Sequence, residues 1–184
     1  PYWYDVNDNK KTWTNKQIVQ RSCGKFRREW ETSSMKEKSY TPENYPILRY
    51  GDVLLMLAEA ENEAHQGPTD LAYECINEIR QRAGISKLEG LSYTDFQQAV
   101  RDERARELCF ESLRKYDLVR WGIYVEAVHD KLGAATQDKR WATGNQFIGA
   151  RDYAARTQEK HQFLPIPTKE LDVNGKLEQN KYWQ

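Results

Sequence analysis

The chain has 184 residues, and its 28 Lys and Arg balance 28 Asp and Glu to a formal net charge of zero. No stretch approaches the roughly 20 apolar residues of a membrane-spanning helix, and zero net charge without a basic block argues against nucleic acid as the main partner. Apolar residues make up only 39 %, yet there are six Trp and eleven Tyr, a content that argues against disorder and asks whether the chain is a whole folding unit.

The chain opens Pro1-Tyr2-Trp3-Tyr4, with no Met and no charged segment followed by an apolar run. We therefore expect it to begin inside a longer protein or after processing. Residues 1–40 read as an irregular, extended lead-in. Within it, Phe26, Arg28 and Trp30 share one face of a period-2 pattern and mark a weak strand.

Residues 41–132 read as a helical core. The first helix is expected from Pro46 to about Gln66, with Pro46 in its first turn. Tyr50, Val53, Leu54, Leu57, Ala60 and Ala64 recur at three- and four-residue steps and form its apolar face, which Leu55 and Met56 widen toward packing on more than one side. Gly67-Pro68 ends it. A second helix is expected from about Asp70 to Ala83, capped by Thr69 and closed by Gly84, with Ala72, Cys75, Ile76, Ile79 and Ala83 as its stripe. The two form a hairpin like one unit of a TPR array, although no second copy appears at a period of about 34 residues.

Ser92 and Asp95 resemble a capping box, and a long helix is expected from about Tyr93 to Ser112. A short helix through Tyr116 to Trp121 ends at Gly122. Residues 133–162 are Gly-rich and polar and read as a surface loop. Residues 163–184 form a tail in which Pro165 and Pro167 favour an extended segment and Thr168 caps a final helical turn. The expected class is mainly α: a TPR-like helical hairpin, a long helix, loop-rich irregular segments and little β structure.

Cys23, Cys75 and Cys109 are odd in number and widely spaced, and His65, His129 and His161 are scattered. No zinc spacing or disulfide framework can be built from them, so neither metal nor cofactor is expected. Cys75 and Cys109 read as buried free thiols.

The densest motif is Glu103-Arg104-Ala105-Arg106-Glu107-Leu108-Cys109-Phe110-Glu111. Glu103 and Glu107 lie four apart on one helix face, shared with Phe96, Val100 and Phe110. Carboxylates on a partly apolar face must be paired, protonated or set on a cleft. One reading makes them the acid/base pair of a glycoside hydrolase. The favoured reading is an ion-pair motif of Glu103, Arg104, Glu107, Arg114, Asp117 and Arg120, in which the nearby arginines, Arg106 among them, neutralise the acids. Such neighbours depress carboxyl pKa values, whereas a catalytic acid needs a raised one.

This motif, followed by Arg114-Lys115-Tyr116-Asp117-Leu118-Val119-Arg120-Trp121-Gly122, resembles the signature helix of SusD/RagB proteins. The run from Asn44 to Ala60 and the segment Asn77-Glu78-Ile79-Arg80 are similar to the same family. So are Phe163-Leu164-Pro165-Ile166-Pro167-Thr168-Lys169-Glu170-Leu171 and Glu178-Gln179-Asn180. The resemblance implies a C-terminal portion of an α-helical outer-membrane lipoprotein, exposed at the cell surface, that binds glycans and is not an enzyme. It further implies a TonB-dependent outer-membrane transporter as partner in polysaccharide uptake, and a lipid anchor outside this chain.

A sugar ligand, polysaccharide or oligosaccharide, is expected to pack on aromatic rings outside regular helices. The candidates are Trp3, Tyr4, Trp13, Trp141, Phe147 and Tyr153, with Asn145 among their polar neighbours. The competing reading packs these rings against the absent part of the protein. A TPR-like structural adaptor without small ligand is the remaining alternative.

Overall fold

The computed structural model describes residues 2–4, 10–12, 24–26, 31, 42, 44–133 and 146–184, with the backbone alone for 2–4, 10, 11 and 146–148. The described chain is mainly helical and divides into two compact units, Cys23–Arg114 and Pro1–Ser22 with Lys115–Gln184. The helical stretch expected over residues 41–132 is thus split between two units. Among the described residues no helix is long and apolar enough to cross a membrane.

The unit Cys23–Arg114 is built on three helices, α1 (Tyr50–His65), α2 (Asp70–Arg82) and α3 (Tyr93–Glu107). α1 packs on both others, and Leu54, Leu55, Ala58, Ala72, Cys75, Ile76, Ile79, Phe96 and Val100 form the core. The Thr69 hydroxyl accepts the Ala72 N–H at 3.1 Å and donates to Glu61, which satisfies an orphan donor of α2 and ties its start to α1. Ser92 accepts the Asp95 N–H at 3.2 Å while donating to the Asp95 carboxylate at 2.6 Å. Gly84 takes the left-handed conformation (φ +71°) just past α2. Beyond it, the buried Asn77 side chain holds both the N–H and the carbonyl of Leu88, fastening the connection to α3.

Several expectations in this unit change. α1 starts at Tyr50, after Pro46, with Arg49 in extended conformation as its N-cap. At its other end Gln66, not Gly67, adopts the left-handed cap (φ +53°). The core face of α1 is rotated from the expected one: Tyr50, Val53, Leu57, Ala60 and Ala64 are exposed, while Asp52 and Asn62 are buried beside Leu54, Leu55 and Ala58. Two polar residues disguise that face, because each finds a tertiary partner, Arg104 for Asp52 and the Tyr93 carbonyl for Asn62. Residues 24–26 form a bend with Phe26 at φ +55°, so the strand expected from Lys25 does not begin there; Arg28 and Trp30 lie outside the described residues.

α3 is shorter than expected. It stops at Glu107, and Phe110 (φ +66°) and Ser112 (φ +59°) take left-handed conformations that L residues adopt only at a cost. This turn exposes Phe110 and Cys109, so Cys109 is not the buried thiol expected, whereas Cys75 is. Burial, then the charges of Glu78, Glu74 and Glu61, push the Cys75 thiol pKa up.

The second unit contains a short antiparallel pair, β1 (Tyr2–Tyr4) and β2 (Lys10–Thr12), with Tyr2 opposite Thr12. It continues with α4 (Arg114–Arg120), whose first residue falls in the other unit, and α5 (Tyr124–Ala127), which runs into π-helical turns at Val128–Leu132. α6 (Gln146–Arg156), a 3₁₀ turn (Glu159–Gln162) and α7 (Thr168–Val173) follow. Leu118, Tyr124, Val128 and Ala154 form its core. α6 and the 3₁₀ turn replace the surface loop expected over 146–162; Gly149 masks a helix whose Ala150, Ala154 and Ala155 are strong helix formers. Thr168 is the first residue of α7, and Pro167 is the cap.

Candidate functional site

The carboxylates of the dense motif are held by arginines. Arg80 Nη1 donates to Glu103 Oε2 at 2.8 Å, and Arg106 reaches the same oxygen at 3.0 Å. Arg49 and Arg82 each donate to Glu107 at 2.5 Å. Arg49 also forks onto Glu111, at 2.7 and 2.9 Å, and Lys25 bonds Glu111 as well. Arg104 pairs with Asp52 at 2.8 Å with both groups buried. Arg49 and Lys25 further donate to the Glu107 carbonyl, and Tyr45 to the Glu111 carbonyl. Two cations therefore serve the Glu107 carbonyl at the free end of α3, where positive charge is favoured, and Tyr45 serves the turn beyond it.

Sequence proximity predicted other partners for these acids. Of the expected arginines Arg106 reaches Glu103 and Arg104 turns to Asp52; the other counter-charges are Arg80 and Arg82 of α2, Arg49 before α1, and Lys25. Arg114 Nη1 donates to the Arg101 carbonyl at 3.1 Å, and Asp117 pairs with Arg120 at 3.0 Å. Burial pushes the Glu107 carboxyl pKa up, but Arg82 and Arg49 outweigh it and hold the group below its ordinary range. Glu111 behaves likewise, with Arg49 and Lys25 outweighing burial. Hydrogen bonding to Glu111 raises the Arg49 pKa against the effect of its own burial. Chemically the cluster is a set of ionised, mutually satisfied pairs. Among the described residues no group of His, Cys, Asp and Glu is placed to hold a metal ion.

A site with unfilled space lies in the second unit. A cavity of about 470 Å³ is lined by the last turns of α6, the 3₁₀ turn, the extended segment after it and Trp183. That volume falls in the range of small-molecule pockets. The indole N–H of Trp183 donates to the carbonyls of Lys160 and Phe163 at 3.0 and 3.1 Å, which fixes the ring. The Lys160 ammonium lies 5.0 Å from the ring centroid, and His161 meets the ring edge-on at 6.1 Å. Gln179 bonds both the N–H and the carbonyl of Ile166, and Asn180 bonds the Leu164 carbonyl at 2.6 Å. The tail motif thus clamps the wall of the cavity. On the α6 side the hydroxyls of Tyr124 and Tyr153 bond each other, and burial with that bond pushes the Tyr124 pKa up to about 12.

Of the aromatics expected to meet sugar, Tyr153 lines this cavity. Trp13, Trp141 and Asn145 lie outside the described residues; Trp3 and Tyr4 stand in β1 and Phe147 in α6, by backbone only. Sequence reasoning placed Trp183 near a terminus and overlooked it. Its signal is the pairing of a fixed Trp with the Gln179-Asn180 segment, which becomes meaningful only when the chain folds back on residues 160–166.

Three comparisons bear on identity. The model of the SusD family matches residues 1–183. The SusD-like protein P25 of Formosa agariphila is 40 % identical over 139 residues, covering 73 % of this chain and 23 % of its own length. The SusD-like protein P2 of the same organism is 29 % identical over 148 residues, covering 74 % and 25 %. The chain therefore spans about a quarter of the length of these curated relatives. A solved SusD homolog from Bacteroides thetaiotaomicron superposes with a TM-score of 0.70 at 37 % identity, covering 83 % of this chain and 30 % of that one. A SusD superfamily protein from Bacteroides vulgatus gives 0.57 at 30 %, covering 79 % and 28 %. With its arginine-paired signature segment and clamped tail, the chain belongs to the SusD family.

Proposed function

We propose that the chain is the C-terminal portion of a cell-surface glycan-binding protein that serves polysaccharide uptake without catalysing it. The observation that carries this reading is the family match over residues 1–183. In this reading the whole protein is a lipoprotein of the outer membrane, anchored outside this chain, and works with a TonB-dependent transporter. The paired acids support binding over hydrolysis: Glu107 is held ionised by Arg82 and Arg49, whereas a general acid needs a raised pKa. Trp3, Tyr4, Trp13, Trp141, Asn145 and Phe147 remain proposed sugar contacts of the lead-in and of the residues around 141–147.

Affinity electrophoresis of the longer protein against a broad polysaccharide panel tests the reading. Retardation by at least one glycan is expected, with no new reducing ends after incubation. Retardation by none removes the glycan ligand. Reducing ends that vanish in Glu103→Gln make the protein a hydrolase.

A further inference from the structure

We propose that the cavity of the Lys115–Gln184 unit takes an anionic saccharide unit, one that carries a carboxylate or sulfate group. This rests on the glycan reading above and specifies its ligand chemistry.

Part of the wall's polar capacity is already committed. The Tyr124 and Tyr153 hydroxyls bond each other, and the buried Thr157 hydroxyl donates to the Tyr153 carbonyl at 2.7 Å. The His161 Nδ1 accepts the Gln158 N–H at 2.9 Å, which leaves Nε2 as the ring's donor. Lys115 sits 5.3 Å from the Tyr124 ring centroid, a cation–π contact that leaves its ammonium protons available. Arg156 faces Asp152 one helical turn away at 3.8 Å, with side chains 82 % and 45 % exposed. Such an exposed pair contributes little, and the guanidinium can turn to a ligand at small cost.

The wall therefore offers two cations and an imidazole N–H donor against one carboxylate. A neutral sugar has no charge with which to meet the excess of cations on this wall. A carboxylate or sulfate only accepts, and a guanidinium fork matches its oxygens two at a time. The apolar part of the ligand has its own surface: the fixed indole of Trp183 and the exposed Phe163 ring line the same cavity. An aromatic platform beside two weakly held, exposed cations fits the C–H face and the charged substituent of one acidic sugar residue.

Two matched pairs of glycans test this with the chain and with the longer protein: polygalacturonate against its methyl ester, and a sulfated galactan against its desulfated backbone. The pairs also separate carboxylate from sulfate. We expect one charged member to bind, its neutral counterpart to bind about tenfold more weakly, and salt to weaken the charged complex. Arg156→Gln and Lys115→Gln should each reproduce that loss, while Lys115→Arg retains binding; thermal melts verify that the variants fold. Equal binding of charged and neutral members overturns the proposal and leaves the glycan reading standing. So does charged-glycan binding that both variants leave untouched. Binding by the chain alone, with none in the longer protein, means that another segment fills the cavity and also overturns it. Retardation by no member of these pairs or of the broad panel overturns both readings.

Discussion

Arg49 is bonded to two carboxylates and a carbonyl at once, and neither acid is near it in sequence. Removing one partner of a largely buried pair leaves the other charge uncompensated, which is more costly than the pair is worth. Arg49→Met should lower stability by about 2–3 kcal/mol, discounted from the fully buried case because the guanidinium is partly exposed. Asp52→Asn breaks a pair in which both groups are buried and should cost about 3 kcal/mol or more. Urea unfolding measures both, and an unchanged midpoint for either refutes the account of that residue. The need for counter-charge is legible in the Glu103–Glu107 spacing. The identity of the counter-charges is not, because Arg49, Arg80 and Arg82 reach the acids only after α1 and α2 pack.

At the scale of elements, the hairpin of α1 and α2 follows from local rules. Thr69 satisfies the start of α2, and Thr69→Ala should cost about 1 kcal/mol in chemical denaturation. A loss well under half of that would show that its bonds to Ala72 and Glu61 matter little. Gly51 is different. In a helix interior, Gly→Ala ordinarily stabilises by about 0.5–1 kcal/mol. Here an added Cβ would lie 2.8 Å from Arg49 Nη1 and 2.9 Å from Glu107 Oε1, side-chain ends that the network holds in place. We therefore expect Gly51→Ala to lower the melting temperature, and a rise would show that the network yields freely. The end of α3 was hidden for a related reason. No Gly or Pro marks it, and left-handed Phe110 and Ser112 are sustained by contacts that Glu111, its carbonyl and the end of the helix make with Arg49, Tyr45 and Lys25.

For the whole molecule, the zero net charge describes ion pairs drawn inward as well as a solvated surface. Glu107 and Glu111 have folded pKa values below their unfolded ones. Their contribution is complete above the ordinary carboxylate pKa of about 4.3 and is lost as pH falls through the lower folded values. Thermal melts between pH 7 and pH 3 should show stability falling on the acid side. In Glu107→Gln that slope should be shallower, because one group no longer takes up a proton on unfolding. An identical slope in the variant would assign acid sensitivity to other carboxylates.

The sequence by itself determined the mainly helical class, the hairpin with its Thr69 cap and Gly84 stop, and the family, since caps, apolar spacing and ordered motifs are local. Only the tertiary structure decided which face of α1 is buried, where α3 stops, which arginines hold the acids, and that Trp183 walls a cavity. Each of those depends on groups distant in sequence meeting in space. Polar residues such as Asp52 and Asn62 can lie in a core only when such partners arrive, and no local pattern announces them.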